Sequence, residues 1–203
     1  MKAEIIIAGN EILPGDAVDT NSAYLEKALA GTGIEVQRLF ISNGLSFALA
    51  ESCSGGLASH ILTNVAGASS YFQGGVVAYN NKIKEKILGV SPGVLKRYGA
   101  VSGQAAKGMA EGIRRLFATD VGMGITGIAG PGGATGIKPV GLVYIAISAE
   151  KNRCARKFIF SGSRVDIKNK AAAAAMDLLI KFLKQPIGSK YPVSSIKCPV
   201  SSI

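Results

Sequence analysis

The chain has 203 residues, of which 48% are hydrophobic and 18% charged, and this composition predicts a globular protein and excludes a disordered one. Its three cysteines lie far apart and it has a single histidine, which excludes a disulfide framework and leaves a zinc site short of ligands. The formal net charge of +10 favours an anionic ligand, whereas the basic residues are not interleaved with aromatic side chains as in a nucleic-acid-binding surface.

No stretch of the sequence approaches the roughly 20 consecutive apolar residues that a membrane span requires. The residues Met1 to Glu4 lead directly into an apolar run and do not resemble a cleaved signal peptide. Together with the lack of a disulfide pattern, these features predict a cytoplasmic protein that does not bind a membrane.

The first 42 residues predict a single βαβ unit. The expected elements are a strand over residues 3–8, a turn-rich loop over 9–15, a helix from about 19 to 30 and a strand over 34–40. Gly31 and Gly33 are expected to end the helix. One βαβ unit cannot bury its own faces, so it has to pack against another part of the chain.

Residues 43–185 predict a larger α/β domain, which begins after the turn at 42–44. In it, apolar runs typical of buried strands alternate with amphipathic helical stretches. The expected strands cover residues 45–50, 75–79, 120–126, 140–148 and 154–160, and the expected helices cover 57–65, 81–88, 94–98, 102–117 and 163–185. Residues 186–203 contain a repeated Pro-Val-Ser-Ser-Ile segment and predict a disordered tail.

The most informative stretch is the turn from Glu51 to Gly56, which joins a predicted buried strand to a predicted helix. It presents a carboxylate, two hydroxyls, a thiol and two glycines beside the free N–H groups of a helix start. Such a turn can hold an anion, or a serine nucleophile with its oxyanion hole. It can equally be an ordinary junction whose serine only caps the helix, and the turn alone does not separate these alternatives.

Three further groups are expected near the same edge of the sheet, where open α/β sheets bind ligands. Tyr79 ends a predicted strand and is followed by Lys82 and Lys84, and Ser102 begins a predicted helix. The glycine-rich loop over residues 126–133 lets backbone N–H groups approach a ligand closely, although it matches neither a Walker nor a dinucleotide-binding motif. Each group also has a purely structural explanation, as an edge tyrosine, solvated lysines, a helix cap or a surface loop.

A serine nucleophile in this chain needs a base other than histidine, because His60 lies inside the predicted helix that follows the turn. A lysine whose pKa is lowered by burial is the known alternative, with or without a tyrosine between the lysine and the serine. Both Lys84 and Lys82 are candidates for this base.

Taken together, these motifs resemble the CinA C-terminal domain family, which includes the nicotinamide mononucleotide deamidases of the PncC type. The resemblance covers about residues 44–184 and rests on segments 50–56, 79–84, 99–102 and 126–141, in the family's order. It implies a three-layer α/β/α domain with a mixed sheet. It also implies hydrolysis of the carboxamide of nicotinamide mononucleotide to nicotinate mononucleotide and ammonia, in pyridine nucleotide salvage, with no metal or cofactor.

The resemblance assigns roles to individual residues. Ser52 resembles the nucleophile, Tyr79 the catalytic tyrosine and Lys84 the catalytic lysine, with Lys82 as a second candidate. Arg164 matches an arginine ahead of the last helix and is expected to pair with the phosphate. N–H groups near Gly55 or in the 127–133 loop are expected to stabilise the oxyanion. The other positions expected to bind the substrate are Glu51, Ser54, Gly55, Gly56, Ser102, Thr126, Gly127, Gly130 and Gly132.

Residues 1–42 resemble the start of another CinA domain, the N-terminal molybdopterin-binding-like domain, whose remaining part is missing. We therefore expect an internal deletion and no pyrophosphatase activity of that domain. Two positions of the larger domain depart from the family pattern: Ser54 stands where threonine is usual, and Ser163 stands where aspartate often precedes the arginine.

Two other functions remain open from the sequence. A catalytically inactive nucleotide-binding relative is favoured by the truncated N-terminal unit, although Ser52, Tyr79, Lys84 and Thr126 are intact. A competence-associated protein that binds nucleic acid agrees with the charge, but its basic stretches lack aromatic residues on which bases could stack. The family also leads us to expect a homo-oligomer.

Overall fold

The computed structural model describes residues 20–150 and 153–184. The strand expected over 3–8, the loop expected over 9–15 and the tail expected over 186–203 therefore lie outside the described residues. The strands are β1 (Phe47–Glu51), β2 (Phe72–Val77), β3 (Val121–Gly127), β4 (Leu142–Ala149) and β5 (Arg153–Ile159). The helices are α1 (Thr20–Asn43), α2 (Leu57–Thr63), α3 (Asn81–Lys86), α4 (Pro92–Tyr98), α5 (Gly103–Leu116) and α6 (Arg164–Leu183).

The described strands form one five-stranded mixed sheet in the order β2-β1-β3-β4-β5. Strand β1 pairs in parallel with both β2 and β3, whereas the β3–β4 and β4–β5 pairs are antiparallel. Because three neighbouring strands are parallel, the segments that follow β1, β2 and β3 meet at one edge of the sheet. This topology confirms the α/β fold and brings three of the predicted site segments together.

Helices cover both faces of the sheet. Alternate side chains of β1 point to opposite faces, so Phe47 and Leu49 pack with α1, α2 and α6, while Ala48 and Ala50 pack with Met109 of α5. Glycine in β3 lets α5 lie very close to the sheet, since a Cβ on Gly124 would stand only 2.5 Å from the Ala106 carbonyl oxygen. The result is the expected three-layer α/β/α arrangement.

The strand expected over residues 34–40 is wrong, because this segment belongs to helix α1. Val36, Leu39 and Phe40 recur at helical spacing and are buried against the core. Gly33 does not end the helix but allows it to approach α2, since a Cβ at that position would lie 3.0 Å from the Ile61 carbonyl oxygen and 2.9 Å from Val65 Cγ2. The domain boundary expected after residue 42 stays a prediction, although residues 36–40 share their core with the larger domain.

Candidate active site

The centre of the candidate site is a direct contact between Ser52 and Lys84. Ser52 follows β1 and is held in place by its own N–H, which donates to the Ile125 carbonyl oxygen at 2.9 Å. Lys84 lies in α3 with only 2% of its surface exposed, and its Nζ is 3.0 Å from Ser52 Oγ. The two side chains come from segments 32 residues apart in the chain.

The surroundings of Lys84 lower its pKa and fix the position of its amine. Burial lowers the pKa of the Lys84 ammonium, because desolvation penalises the charged state. Its Nζ donates to the carbonyl oxygens of Ala78 at 2.7 Å and Tyr79 at 3.3 Å, and a carbonyl oxygen can only accept. A neutral amine with both N–H groups on these carbonyls directs its lone pair at the Ser52 hydroxyl, which is the geometry of a general base.

Glu51 supports the turn instead of lining the cavity. Its carboxylate is fully buried and accepts hydrogen bonds from the N–H groups of Gly56, Ala58 and Ser59 at 2.8–3.1 Å and from the Ser59 hydroxyl at 2.7 Å. These bonds cap the start of α2 and fix the backbone next to Ser52. The expectation that Glu51 contacts the substrate is therefore not supported by its geometry.

The backbone N–H groups of the two glycines in the turn also have partners already. Gly55 and Gly56 have positive φ angles of 65° and 96°, which favour glycine. The Gly55 N–H donates to the Ser52 carbonyl oxygen at 3.2 Å, and the Gly56 N–H donates to Glu51. The oxyanion donor expected near Gly55 is thus already in use within the turn. Ser54 is fully buried, and its Oγ has no hydrogen-bond partner among the described residues.

Cys53 lies beside Ser52 but is not a competing nucleophile. Burial raises the pKa of its thiol to about 12, more than its hydrogen bonds to backbone N–H groups lower it. A thiol with this pKa carries almost no thiolate near neutral pH, and the thiolate is the reactive form. Ser52, whose hydroxyl contacts Lys84, is consequently a better candidate nucleophile than Cys53.

A cavity of about 170 Å³ opens beside the Ser52–Lys84 pair. Six of the residues expected from the sequence line it, namely Ser52, Tyr79, Lys84, Thr126, Gly127 and Arg164. Five lining residues were not expected, namely Cys53, Asn81, Ala100, Val101 and Ala129. Asn81 follows the N-cap residue of α3, which a capping pattern could have indicated, whereas the alanines and the valine carry no chemical signal in the sequence.

Arg164 connects two walls of the cavity. It is the first residue of α6, and its Nη2 donates to the Tyr79 hydroxyl at 2.7 Å while its Nη1 donates to the Gly130 carbonyl oxygen at 2.5 Å. Lys84 contacts the backbone carbonyl of Tyr79 and not its phenol. The phenol of Tyr79 therefore holds Arg164, and no tyrosine stands between Lys84 and Ser52.

Three more of the expected residues serve the framework or lie outside the cavity. Ser102 caps α5, since its Oγ accepts the Ala105 N–H at 3.1 Å. The exposed Lys82 only contributes its backbone N–H, to Asn80 Oδ1, and Gly132 lies in an exposed part of its loop. Thr126 lines the cavity with its hydroxyl donated to the Ala100 carbonyl oxygen at 2.9 Å. Lys84, not Lys82, is therefore the lysine beside Ser52.

The part of the chain that the structure describes contains no group of three or more His, Cys, Asp or Glu side chains placed to hold a metal ion. None of the helices described is long and apolar enough to cross a membrane.

The fold and the site define a three-layer α/β protein with a buried serine–lysine pair at the carboxyl edge of its parallel strands. The family model for the CinA C-terminal domain matches residues 32–183. The chain belongs to this family, as its motifs led us to expect.

Two curated relatives extend the comparison. A CinA-like protein of Thermotoga neapolitana is 46% identical over 150 residues, which are 74% of this chain and 36% of the relative. A CinA-like protein of Acidobacterium capsulatum is 48% identical over 136 residues, 67% of this chain and 33% of the relative. The chain thus spans about a third of the length of the curated relatives it matches.

Solved structures share the fold. The competence/damage inducible protein CihA from Agrobacterium tumefaciens superposes with a TM-score of 0.74 and 36% identity, covering 77% of this chain and 96% of its own. A CinA superfamily protein from Enterobacter cloacae gives a TM-score of 0.74 and 33% identity, covering 77% and 92%.

Proposed function

We propose that this protein is an amidohydrolase that converts nicotinamide mononucleotide to nicotinate mononucleotide and ammonia. The observation that carries the proposal is the 3.0 Å contact between Lys84 Nζ and Ser52 Oγ at the wall of a cavity. A serine with an adjacent base is the arrangement that acyl transfer requires. The resemblance of the motifs supplies the identity of the amide.

In the first step, Lys84 takes the proton of the Ser52 hydroxyl as the oxygen attacks the carboxamide carbon. The direct contact means that this proton needs no relay through Tyr79. The negative charge that develops on the carboxamide oxygen requires N–H donors. We assign these to the loop over 127–133, because the Gly55 N–H is already bonded to the Ser52 carbonyl oxygen.

In the second half of the reaction, Lys84 returns the proton to the departing nitrogen, and ammonia leaves an ester on Ser52. Water then attacks this ester, with Lys84 again as the base, and releases the carboxylate product and the free Ser52 hydroxyl. The atoms balance as one amide and one water giving one carboxylic acid and one ammonia. Every step uses the same two side chains, and no metal or cofactor is part of the proposal.

The test is to incubate the protein with nicotinamide mononucleotide and to measure ammonia and nicotinate mononucleotide together. The proposal expects the two products in equal amounts. A folded protein that releases neither product would overturn the enzymatic proposal. If the nucleotide still raised the melting temperature of such a protein, the result would favour the inactive nucleotide-binding alternative.

A further inference from the structure

Arg164, the cation expected to hold a substrate phosphate, already has partners in the protein. Its two terminal nitrogens donate to the Tyr79 hydroxyl and to the Gly130 carbonyl oxygen. A guanidinium that keeps both bonds has only its remaining N–H groups for a ligand. A second cation near the site would offer an anionic ligand donors that are not already shared with the protein.

Lys168 is a cation near the nucleophile turn without a partner of its own. It lies one helical turn after Arg164 in α6 and is half-buried. No hydrogen-bond acceptor or carboxylate pairs with its Nζ among the described residues. By contrast, Lys170 of the same helix donates to the Ser161 carbonyl oxygen at 2.7 Å, and Lys184 pairs with Glu35 at 2.7 Å. An ammonium that has no partner in the described part of the protein keeps its N–H donors available for an anionic ligand.

The Lys168 ammonium lies against the turn that carries Ser52. Its Nζ is 3.5 Å, and its Cε 3.6 Å, from the position that a Cβ on Gly55 would occupy. Gly55 is bonded through its N–H to the Ser52 carbonyl oxygen, so the ammonium lies against the same turn as Ser52, three residues further along the chain. Glu51, the carboxylate of this turn, directs its oxygens to α2 and leaves Lys168 free for a ligand.

Arg164 and Lys168 are spaced i and i+4, so both lie on the face of α6 that is turned to the site. Arg164 reaches the cavity, and Lys168 reaches the glycine turn beside it. Lys168 does not line the cavity itself, so an anion that touches both charges has to lie between the cavity and the glycine turn. A lysine ammonium is a compact point charge that accepts a phosphate from many directions, which suits this position.

We propose that Lys168 is the specificity-determining residue that binds the terminal phosphate of the substrate. The proposal rests on the proposed amidohydrolase function and deepens it. It predicts that the site prefers a phosphomonoester nucleotide to the corresponding nucleoside, and that Lys168 accounts for most of this preference. Arg164 remains bonded to Tyr79 and Gly130 and shapes the cavity wall.

The test compares two substrates, nicotinamide mononucleotide and nicotinamide riboside, which lacks the phosphate. Lys168→Gln is expected to raise KM for the nucleotide by at least about tenfold, the effect of losing one charge-assisted contact, and to leave kcat within about twofold. The KM and kcat of Lys168→Gln for the riboside are expected to equal those of wild type. Lys168→Arg is expected to have a KM for the nucleotide close to that of wild type. Lys181→Gln removes the same charge from an exposed position of the same helix and should have no effect. An unchanged KM in Lys168→Gln, or an equal rise for both substrates, would overturn the proposal.

A binding measurement separates this proposal from the proposed function. The melting temperature of wild type and of Lys168→Gln is measured with the nucleotide and with the riboside, whether or not either is hydrolysed. A larger rise with the nucleotide in wild type that disappears in Lys168→Gln supports the role of Lys168 even if no ammonia is released. The proposal is overturned if the larger rise in melting temperature with the nucleotide persists in Lys168→Gln. It is also overturned if the nucleotide and the riboside raise the melting temperature of wild type equally.

Discussion

Lys84 and Ser52 form a buried pair, with the lysine nitrogen 3.0 Å from the serine oxygen and with two backbone carbonyls holding the lysine in place. Lys84 is one of the few ionisable side chains among the described residues that are almost fully buried. Burial of this kind destabilises the ammonium and favours the free amine. The pair therefore places a candidate nucleophile beside a lysine whose pKa lies below its ordinary value.

The first prediction concerns the pH dependence of activity. Because burial holds the pKa of Lys84 below its ordinary value of 10.5, kcat/KM is expected to rise with pH through an apparent pKa below 10.5. The rise reports an ionisation of the free enzyme. It should be seen when kcat/KM for nicotinamide mononucleotide is measured over a pH series. A kcat/KM that does not change with pH below 10.5 would contradict the assignment of Lys84 as the base.

The same shift predicts a pH dependence of stability. In the interval between the lowered pKa of Lys84 in the folded protein and its ordinary value in the unfolded chain, the unfolded chain binds more protons. The free energy of unfolding therefore gains a contribution that grows as pH rises through this interval. Urea unfolding at a series of pH values should show the gain in wild type, and Lys84→Met should remove it. An identical pH dependence in both proteins would show that Lys84 is not the titrating group.

The third prediction concerns Tyr79. Tyr79→Phe removes the hydroxyl that accepts from Arg164 but leaves the Ser52–Lys84 contact in place. We expect kcat/KM to fall by about tenfold, the cost of one charge-assisted hydrogen bond, through a less well-ordered Arg164. A loss as large as that of Ser52→Ala would instead require a tyrosine relay in the proton transfer.

The fourth prediction concerns the turn. Glu51→Gln keeps the shape of the side chain but turns one of its two acceptor oxygens into a donor group, facing N–H groups that it can no longer satisfy. We expect a loss of about 2 kcal/mol in the free energy of unfolding, measured with urea, together with reduced activity. Glu111→Gln is the control, since it breaks a surface ion pair with Arg153 and should cost less than about 1 kcal/mol. Equal effects of the two changes would contradict the role of Glu51.

The fifth prediction concerns the core. The Tyr71 side chain is fully buried and stacked on Phe40, and its hydroxyl has no hydrogen-bond partner among the described residues. Tyr71→Phe is expected to raise the free energy of unfolding by about 1 kcal/mol, because it removes a buried unsatisfied polar group. Tyr98→Phe at a partly exposed position should change it by less than about 0.5 kcal/mol. Destabilisation by Tyr71→Phe would mean that the hydroxyl has a partner in solution.

The sequence predicted most strands and helices of the larger domain, because their patterns and their caps are local. Ser163, for example, caps α6 in a reciprocal capping box with Asp166, as its position at the start of an amphipathic stretch indicated. The second half of helix α1 was missed because Gly31 and Gly33 were interpreted as its end. The actual role of Gly33 is to let two helices touch, and that depends on Val65 and Ile61, which are distant in sequence.

The candidate site was predicted as a set of segments but not as a set of contacts. Helical spacing alone cannot decide whether Lys82 or Lys84 faces the core, because both follow the same strand and the choice depends on where α3 packs. The bond between Arg164 and Tyr79 joins residues 85 positions apart and has no local signature. The resemblance of motifs supplied candidates, and the three-dimensional arrangement separates the Ser52–Lys84 pair from Glu51, Gly55 and Ser102, which support the framework.

The most direct test of the central claim is the initial rate of ammonia release from nicotinamide mononucleotide by four proteins measured side by side. They are wild type, Ser52→Ala, Lys84→Met and Lys82→Met, each shown to be folded by its thermal unfolding transition. We predict release by wild type and by Lys82→Met at similar rates, and a loss of at least about 10³-fold in Ser52→Ala and in Lys84→Met. Release that survives in either Ser52→Ala or Lys84→Met would contradict the serine–lysine mechanism.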